Sequence, residues 1–256
     1  MPALQPTKVP SWLKCRKMHK MAKEIRQEIF TGIRDALPIM LGYIPVGIAY
    51  GVMARQAGFS IGETVLMSVM VYAGAAQMMT TGLYAAGTAY ITIILSTFIL
   101  NLRHIIMSSC IMNMDGMRRE KKPSKIIASF WITDEVFAVS VSGKESRGIY
   151  HFLGLALAAY FTWMTGSFVG AVFSDFLPSI VTDALGIALY GMFIGLLVPG
   201  LRKNFKLVLL VILCCLLNWG LCKIIPSSWA MIATTLIGAG IGVFFVDLKE
   251  EKTDAL

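Results

Sequence analysis

Two adjacent carboxylates, Asp134 and Glu135, sit inside an otherwise apolar stretch, "IASFWITDEVFAVSVSG". Side by side in a low dielectric they cannot both stay charged cheaply, so one is expected to hold a proton, as a proton-coupled site requires. The alternative is that the stretch ends at a membrane surface and water solvates the pair. A second charged pair, Arg103 and His104, lies in another apolar run. Ionisable residues at the centre of a bilayer cost from about 2.5 kcal/mol upward and mark functional sites by default. The planar fork of Arg103 could hold a carboxylate ligand, or could bridge to Asp134 or Glu135. Tyr72, Gln77 and Asn101 are cheaper polar groups that can hydrogen-bond a small polar ligand or simply join helices. Gln77 belongs to "VYAGAAQMM", in which four small residues, Ala73 to Ala76, leave the backbone almost bare.

No pattern for covalent or metal chemistry accompanies these residues. His19, His104 and His151 do not group with cysteines or carboxylates at metal-ligand spacing, and HExxH, GxSxG and P-loop patterns are absent. The residues therefore give no support to an enzyme, a resident cofactor or a self-contained ATP-driven pump. Cys15, Cys110, Cys214, Cys215 and Cys222 lack the paired spacing of disulfides or zinc sites. They read as small buried hydrophobes.

The elements that must position the polar residues follow from composition. The chain has 256 residues, of which 56% are hydrophobic and 15% charged, whereas soluble domains carry roughly 25% charged residues. The charges gather in the first 34 residues, in patches such as "MRREKKPSK" and at the C-terminus. Between them lie apolar segments at about 35–54, 64–84, 87–110, 127–142, 150–173, 180–200, 205–222 and 229–246, most of them long enough to span about 30 Å of hydrocarbon as helices. The pI near 9.3 comes from basic residues flanking these spans, with no nucleic-acid-binding motif, so it reports membrane topology.

If all eight segments cross, "MRREKKPSK" falls outside. If 64–84 and 127–142 instead enter and return, or are otherwise broken, Arg55 and Lys223 are the only external basic residues. The cytoplasmic bias of Lys and Arg thus predicts an all-α polytopic membrane bundle with six full crossings, two re-entrant or broken segments and both termini inside. Those two segments also hold the polar residues, and non-helical backbone at membrane depth is tolerated only against protein or a watery cavity. The expected organisation is a basic cytoplasmic tail over 1–30, a transmembrane domain over 31–247 and a cytoplasmic tail over 248–256. Within the first tail, Met18, Met21, Ile25 and Ile29 alternate with Lys17, Lys20, Lys23 and Arg26. That spacing suits an amphipathic helix on an anionic membrane face and equally an unstructured basic tail.

Leu37-Pro38 followed by "GIAYG", and Leu177-Pro178 followed by "GIALYG", form a faint internal repeat on oppositely directed crossings. Inverted repeats of this kind recur in secondary transporters. Gly42, Gly47, Gly51, Gly166 and Gly170 are expected to let helices approach closely.

In their order and spacing, "GIRDALPIMLGYIPVGIAYG", "VYAGAAQ", "NLRH" and "TDEVF" resemble the AzlC family, the large subunit of branched-chain amino acid exporters. The resemblance runs from about residue 30 to 246. It implies a permease of the bacterial inner membrane that exports valine, leucine and isoleucine, with methionine or analogues as further candidates. It also implies a small hydrophobic partner subunit of the AzlD type. Joined to the reading of the residues, it predicts a zwitterionic amino acid near the midplane. Its carboxylate would be held by N–H groups of a broken helix around Gly74 and by Arg103 or Asn101, with Tyr72 and Gln77 nearby. Its ammonium would face Asp134, Glu135 or backbone carbonyls, and protonation of that carboxylate pair is one coupling step. The rival from another class is a non-transporting membrane scaffold or regulatory subunit.

Overall fold

The structure, a computed structural model, describes residues 11–118, 120–142, 147–176, 191, 194, 197–198, 201–202, 204–225 and 227–245. Among these residues there is no β-strand. The helices are α1 Ser11–Asp35, α2 Leu37–Gln56, α3 Ile61–Met70, α4 Gly74–Ala85, α5 Tyr90–Asn113, α6 Asp115–Arg118, α7 Lys122–Ser129, α8 Asp134–Ser142, α9 Ile149–Phe173, α10 Phe205–Leu221 and α11 Ser227–Phe245. A short 3-10 turn, Ser174–Phe176, extends α9. Among the described residues, three helical stretches, Leu37–Gln56, Tyr90–Asn113 and Ile149–Phe176, are long and apolar enough to cross a membrane. The crossing expected over 180–200, the second copy of the repeat and the tail over 248–256 fall largely or wholly outside the described residues.

The chain divides into two compact units, one of Met1–Tyr43 with Ile106–Trp163 and the other of Ile44–Ile105 with Met164–Leu256. In the first unit, α1 is helical from Ser11, which resolves the two readings of the basic tail in favour of a helix. Its C-terminal part lies on the start of α9 through two glycines. A side-chain carbon at Gly32 would overlap the His151 carbonyl, and one at Gly154 would overlap the Ile29 carbonyl. Asp35 finishes α1 beside a guanidinium and an imidazole, 2.8 Å from Arg147 Nη1 and 2.9 Å from His151 Nε2. Pro38 marks the junction of α1 and α2, because its ring lacks the N–H that a continuous helix would use there.

In the second unit, α2 and α9 meet through the small residues picked out from the sequence. A Cβ at Gly166 would come within 3.2 Å of the Gly47 Cα, while side chains at Gly51 or Gly170 would strike the backbone of Ser167 or Ile48. Gly42, in the first unit, does not share this role, because open space surrounds its Cα. Asn204 caps α10 by accepting the Lys206 N–H at 3.0 Å, and Gly238 of α11 fits against Cys214 of α10. The cysteine expectation needs correction as well. Cys110, Cys215 and Cys222 are unpaired but exposed on apolar helices rather than buried, because apolar faces in a membrane chain turn outward as well as inward.

Both segments set aside by the charge distribution are broken. α3 stops at Met70, and α4 begins at Gly74 after the non-helical residues Val71, Tyr72 and Ala73. α7 stops at Ser129, and α8 begins at Asp134. The small residues Ala73 to Ala76 therefore do not form the interruption. Only Ala73 belongs to it, and the other three build the first turn of the resumed helix.

Candidate functional site

The break in the second unit is built from α3, α4, α5 and parts of α2 and α9. A capping box starts α3: Ser60 Oγ accepts the Glu63 N–H at 3.2 Å, and Glu63 Oε2 accepts the Ser60 N–H at 2.8 Å. These bonds satisfy donors that a helix start leaves open. At the far end, Tyr72 takes φ of +40°, a left-handed backbone that costs an L residue roughly 1–2 kcal/mol. Tyr72 is nonetheless buried, so surrounding contacts hold the chain in this conformation. Such retained strain is a feature of ligand clamps and switch regions.

One turn into α4, Gln77 is fully buried. Its Nε2 donates to Ser68 Oγ at 3.1 Å, and the Ser68 hydroxyl donates to Ser167 Oγ at 2.9 Å. The Tyr50 hydroxyl donates to the Thr64 carbonyl at 3.2 Å and lies within hydrogen-bonding reach of Gln77 and Ser68. Beside this polar cluster is a cavity of about 380 Å³, lined by Met67, Val71, Ala76, Gln77, Thr80, Ile93, Ile94, Thr97 and Phe98. Its size is at the lower end of small-molecule sites, and it is an open hollow whose surface is almost entirely apolar. Thr80 and Thr97 hydrogen-bond each other at 3.0 Å and tie α4 to α5.

The break in the first unit carries a different chemistry. Thr133 caps α8, with its Oγ1 3.4 Å from the Val136 N–H. The Tyr43 hydroxyl lies 2.8 Å from Thr133 Oγ1 and donates to Glu135 Oε2 at 2.6 Å. Because the one Tyr43 proton goes to the carboxylate, the Thr133 hydroxyl donates to Tyr43. Tyr43 is held in place by Trp163, whose ring meets it edge-on at 5.2 Å. Glu135 is 8% exposed, whereas its neighbour Asp134 is half-buried.

The site residues expected from sequence are distributed as follows. Tyr72, Gly74 and Gln77 come together at the α3–α4 break. Asn101 continues the cavity stripe of α5 one turn beyond Thr97, and its Oδ1 is buried without a hydrogen-bond partner. Arg103, two residues on, points roughly 200° around the helix from Asn101, so α5 does not present both side chains to one ligand. Asp134 and Glu135 open α8 in the other unit, and only Glu135 is deeply buried. Sequence reasoning missed Tyr43, Tyr50, Ser68, Thr133 and Ser167. The spacing of Tyr43 and Tyr50, two turns apart in one helix, was the available signal.

Residues 38–177 match the profile of the AzlC protein family. An uncharacterized membrane protein of Archaeoglobus fulgidus is 36% identical over 187 residues, covering 72% of this chain and 80% of its own length. The inner membrane protein YgaZ of Escherichia coli is 31% identical over 183 residues, covering 69% and 74%. The branched-chain amino acid transport protein AzlC of Bacillus subtilis is 25% identical over 189 residues, covering 71% and 72%. No solved structure matches the chain. The motifs and these relatives agree, and the chain belongs to the AzlC protein family.

Proposed function

We propose that this chain is the permease subunit of a branched-chain amino acid exporter that moves valine, leucine and isoleucine, with methionine or analogues as further candidates. It is a multi-pass protein of the bacterial inner membrane, with both termini cytoplasmic. It acts with a small hydrophobic AzlD-type subunit and is driven by an ion gradient. The carrying observation is the apolar cavity at the α3–α4 break. A branched-chain amino acid needs an apolar surface for its side chain and polar partners for two charges. The cavity wall supplies the first. For the second, the N–H groups that open α4 at Gly74 favour a carboxylate, and the last carbonyls of α3 favour an ammonium, without a full ionised side chain being buried. Gln77 and Asn101 add hydrogen-bonding capacity next to them. Coupling belongs to the Asp134–Glu135 pair, one carboxyl of which holds a proton taken up in exchange for substrate.

The test is cellular accumulation of labelled valine or isoleucine, with and without this chain and its small partner. The expected outcome is lower accumulation when both are produced. Unchanged efflux with both in the membrane would leave the scaffold reading in its place. A cysteine placed in "REKKPSK" should react with an impermeant thiol reagent only from the cytoplasm; labelling from outside would overturn the six-crossing topology.

A further inference from the structure

Glu135 is a deeply buried carboxyl, and among the described residues no Lys, Arg or His forms an ion pair with it. Three basic side chains of its own unit are engaged elsewhere. Lys125 donates to the carbonyls of Met112 and Arg118, while Arg147 and His151 face Asp35. The groups around Glu135 are Asp134 beside it on α8, Thr133 at the helix cap, and Tyr43 of α2 backed by Trp163 of α9. A carboxylate in this setting is stabilised by hydroxyl donors and its own backbone N–H, and hydroxyls differ from cations and amides in one respect: they can reverse.

We propose that Glu135, rather than Asp134, is the carboxyl that takes up and releases the coupling proton, and that Tyr43 and Thr133 form a hydroxyl chain whose direction follows its charge. The inference rests on the transport reading and sharpens it. With Glu135 ionised, the Thr133 hydroxyl donates to Tyr43 and Tyr43 donates to the carboxylate, in line with the 2.8 and 2.6 Å separations. When one proton binds, the Glu135 O–H becomes a donor. It donates to Tyr43 Oη, and the Tyr43 proton turns to Thr133 Oγ1, which already accepts from the Val136 N–H. Release of the proton restores the first arrangement. No bond other than O–H is made or broken, and both charge states keep Glu135 and Tyr43 hydrogen-bonded. That matters because a buried polar group left unpaired is costly. Asp134 is only half-buried, whereas Glu135 lies 8% exposed on the Tyr43 hydroxyl. Tyr43 and Thr133 are positioning residues here, acting through Glu135.

The decisive comparison uses the full chain with its small partner in inside-out vesicles. Two measurements are made with labelled isoleucine: accumulation driven by a pH gradient, and exchange against unlabelled isoleucine without a gradient. Glu135→Gln is expected to lose gradient-driven accumulation and keep exchange, and Asp134→Asn is expected to keep both. Tyr43→Phe and Thr133→Val should keep exchange and shift the pH profile of accumulation. Wild-type accumulation in Glu135→Gln would overturn the assignment, as would loss of coupling in Asp134→Asn alone. A readout that does not depend on transport separates this inference from the exporter reading. Infrared difference spectra of the purified protein across a pH titration should show a protonated-carboxyl C=O band that disappears in Glu135→Gln, persists in Asp134→Asn and moves to higher frequency in Tyr43→Phe. Absence of such a band in the wild type, or its persistence in Glu135→Gln, would overturn the proposal even if amino acid export is found.

Discussion

The two broken segments use one backbone device for different chemistry. Each interrupts an apolar segment, restarts as a helix and receives a tyrosine from α2, Tyr50 in one unit and Tyr43 in the other. At the α3–α4 break the restart is Gly-Ala-Ala-Gln, the polar cluster is made of neutral side chains, and small residues leave a cavity beside it. At the α7–α8 break the restart is Asp-Glu, and the hydroxyls converge on a carboxylate. The difference lies in what the first turn of the second helix carries. Small residues there make room for a ligand, whereas a buried acid makes a place for a proton.

Four measurements would break or sharpen this contrast. The largest effect is expected from Gly51→Leu, whose side chain would collide with the α9 backbone at Ser167 and Ala171. Moving backbone should cost more than the roughly 1–3 kcal/mol of ordinary overpacking. The variant should be lost from the membrane or melt early in detergent, and normal abundance and melting would show that the close α2–α9 contact is dispensable. Next is Ala76→Leu, which fills the cavity without touching the charged break. Export of isoleucine should fall about tenfold or more, since one methylene in an apolar pocket is worth about 1–3 kcal/mol. An unchanged rate would remove the cavity from the transport path.

A smaller but more discriminating effect comes from pairing Gln77→Leu with Thr133→Val. Each removes an interhelical or capping bond worth on average about 0.6–1 kcal/mol, so their melting temperatures should fall by similar amounts. Gln77→Leu should weaken apparent affinity for isoleucine at an unchanged pH profile, and Thr133→Val should do the reverse. If both variants alter affinity alike, the two breaks do not divide the work. The smallest effect is that of Ser60→Ala, which removes the α3 cap at a cost of about 1 kcal/mol. Export by the protein that remains folded should be normal, and a specific loss would mean that the start of α3 takes part in the site.

Gly47, Gly51, Gly166 and Gly170 could be recognised as close-contact positions because their spacing is local to each helix. The partners that make the site were not legible in the same way. Gln77 meets Ser167 through Ser68, and Glu135 meets Tyr43 across 92 residues of chain. Nothing in local spacing encodes a meeting at that separation. The opposition of Asn101 and Arg103 was available from helical periodicity alone, given that α5 runs unbroken through both.

Composition and charge placement are enough to set the solvent and the kind of element. An apolar chain with segregated charges must satisfy its backbone within helices, and the positive residues single out 64–84 and 127–142 as the segments expected to be re-entrant or broken. Only the tertiary structure decided where those segments break, at 71–73 and at 130–133, and which of two neighbouring carboxylates is buried. Helix formation is a local balance that composition can forecast. Burial and hydrogen-bond pairing depend on which distant side chains arrive, and that is fixed by packing.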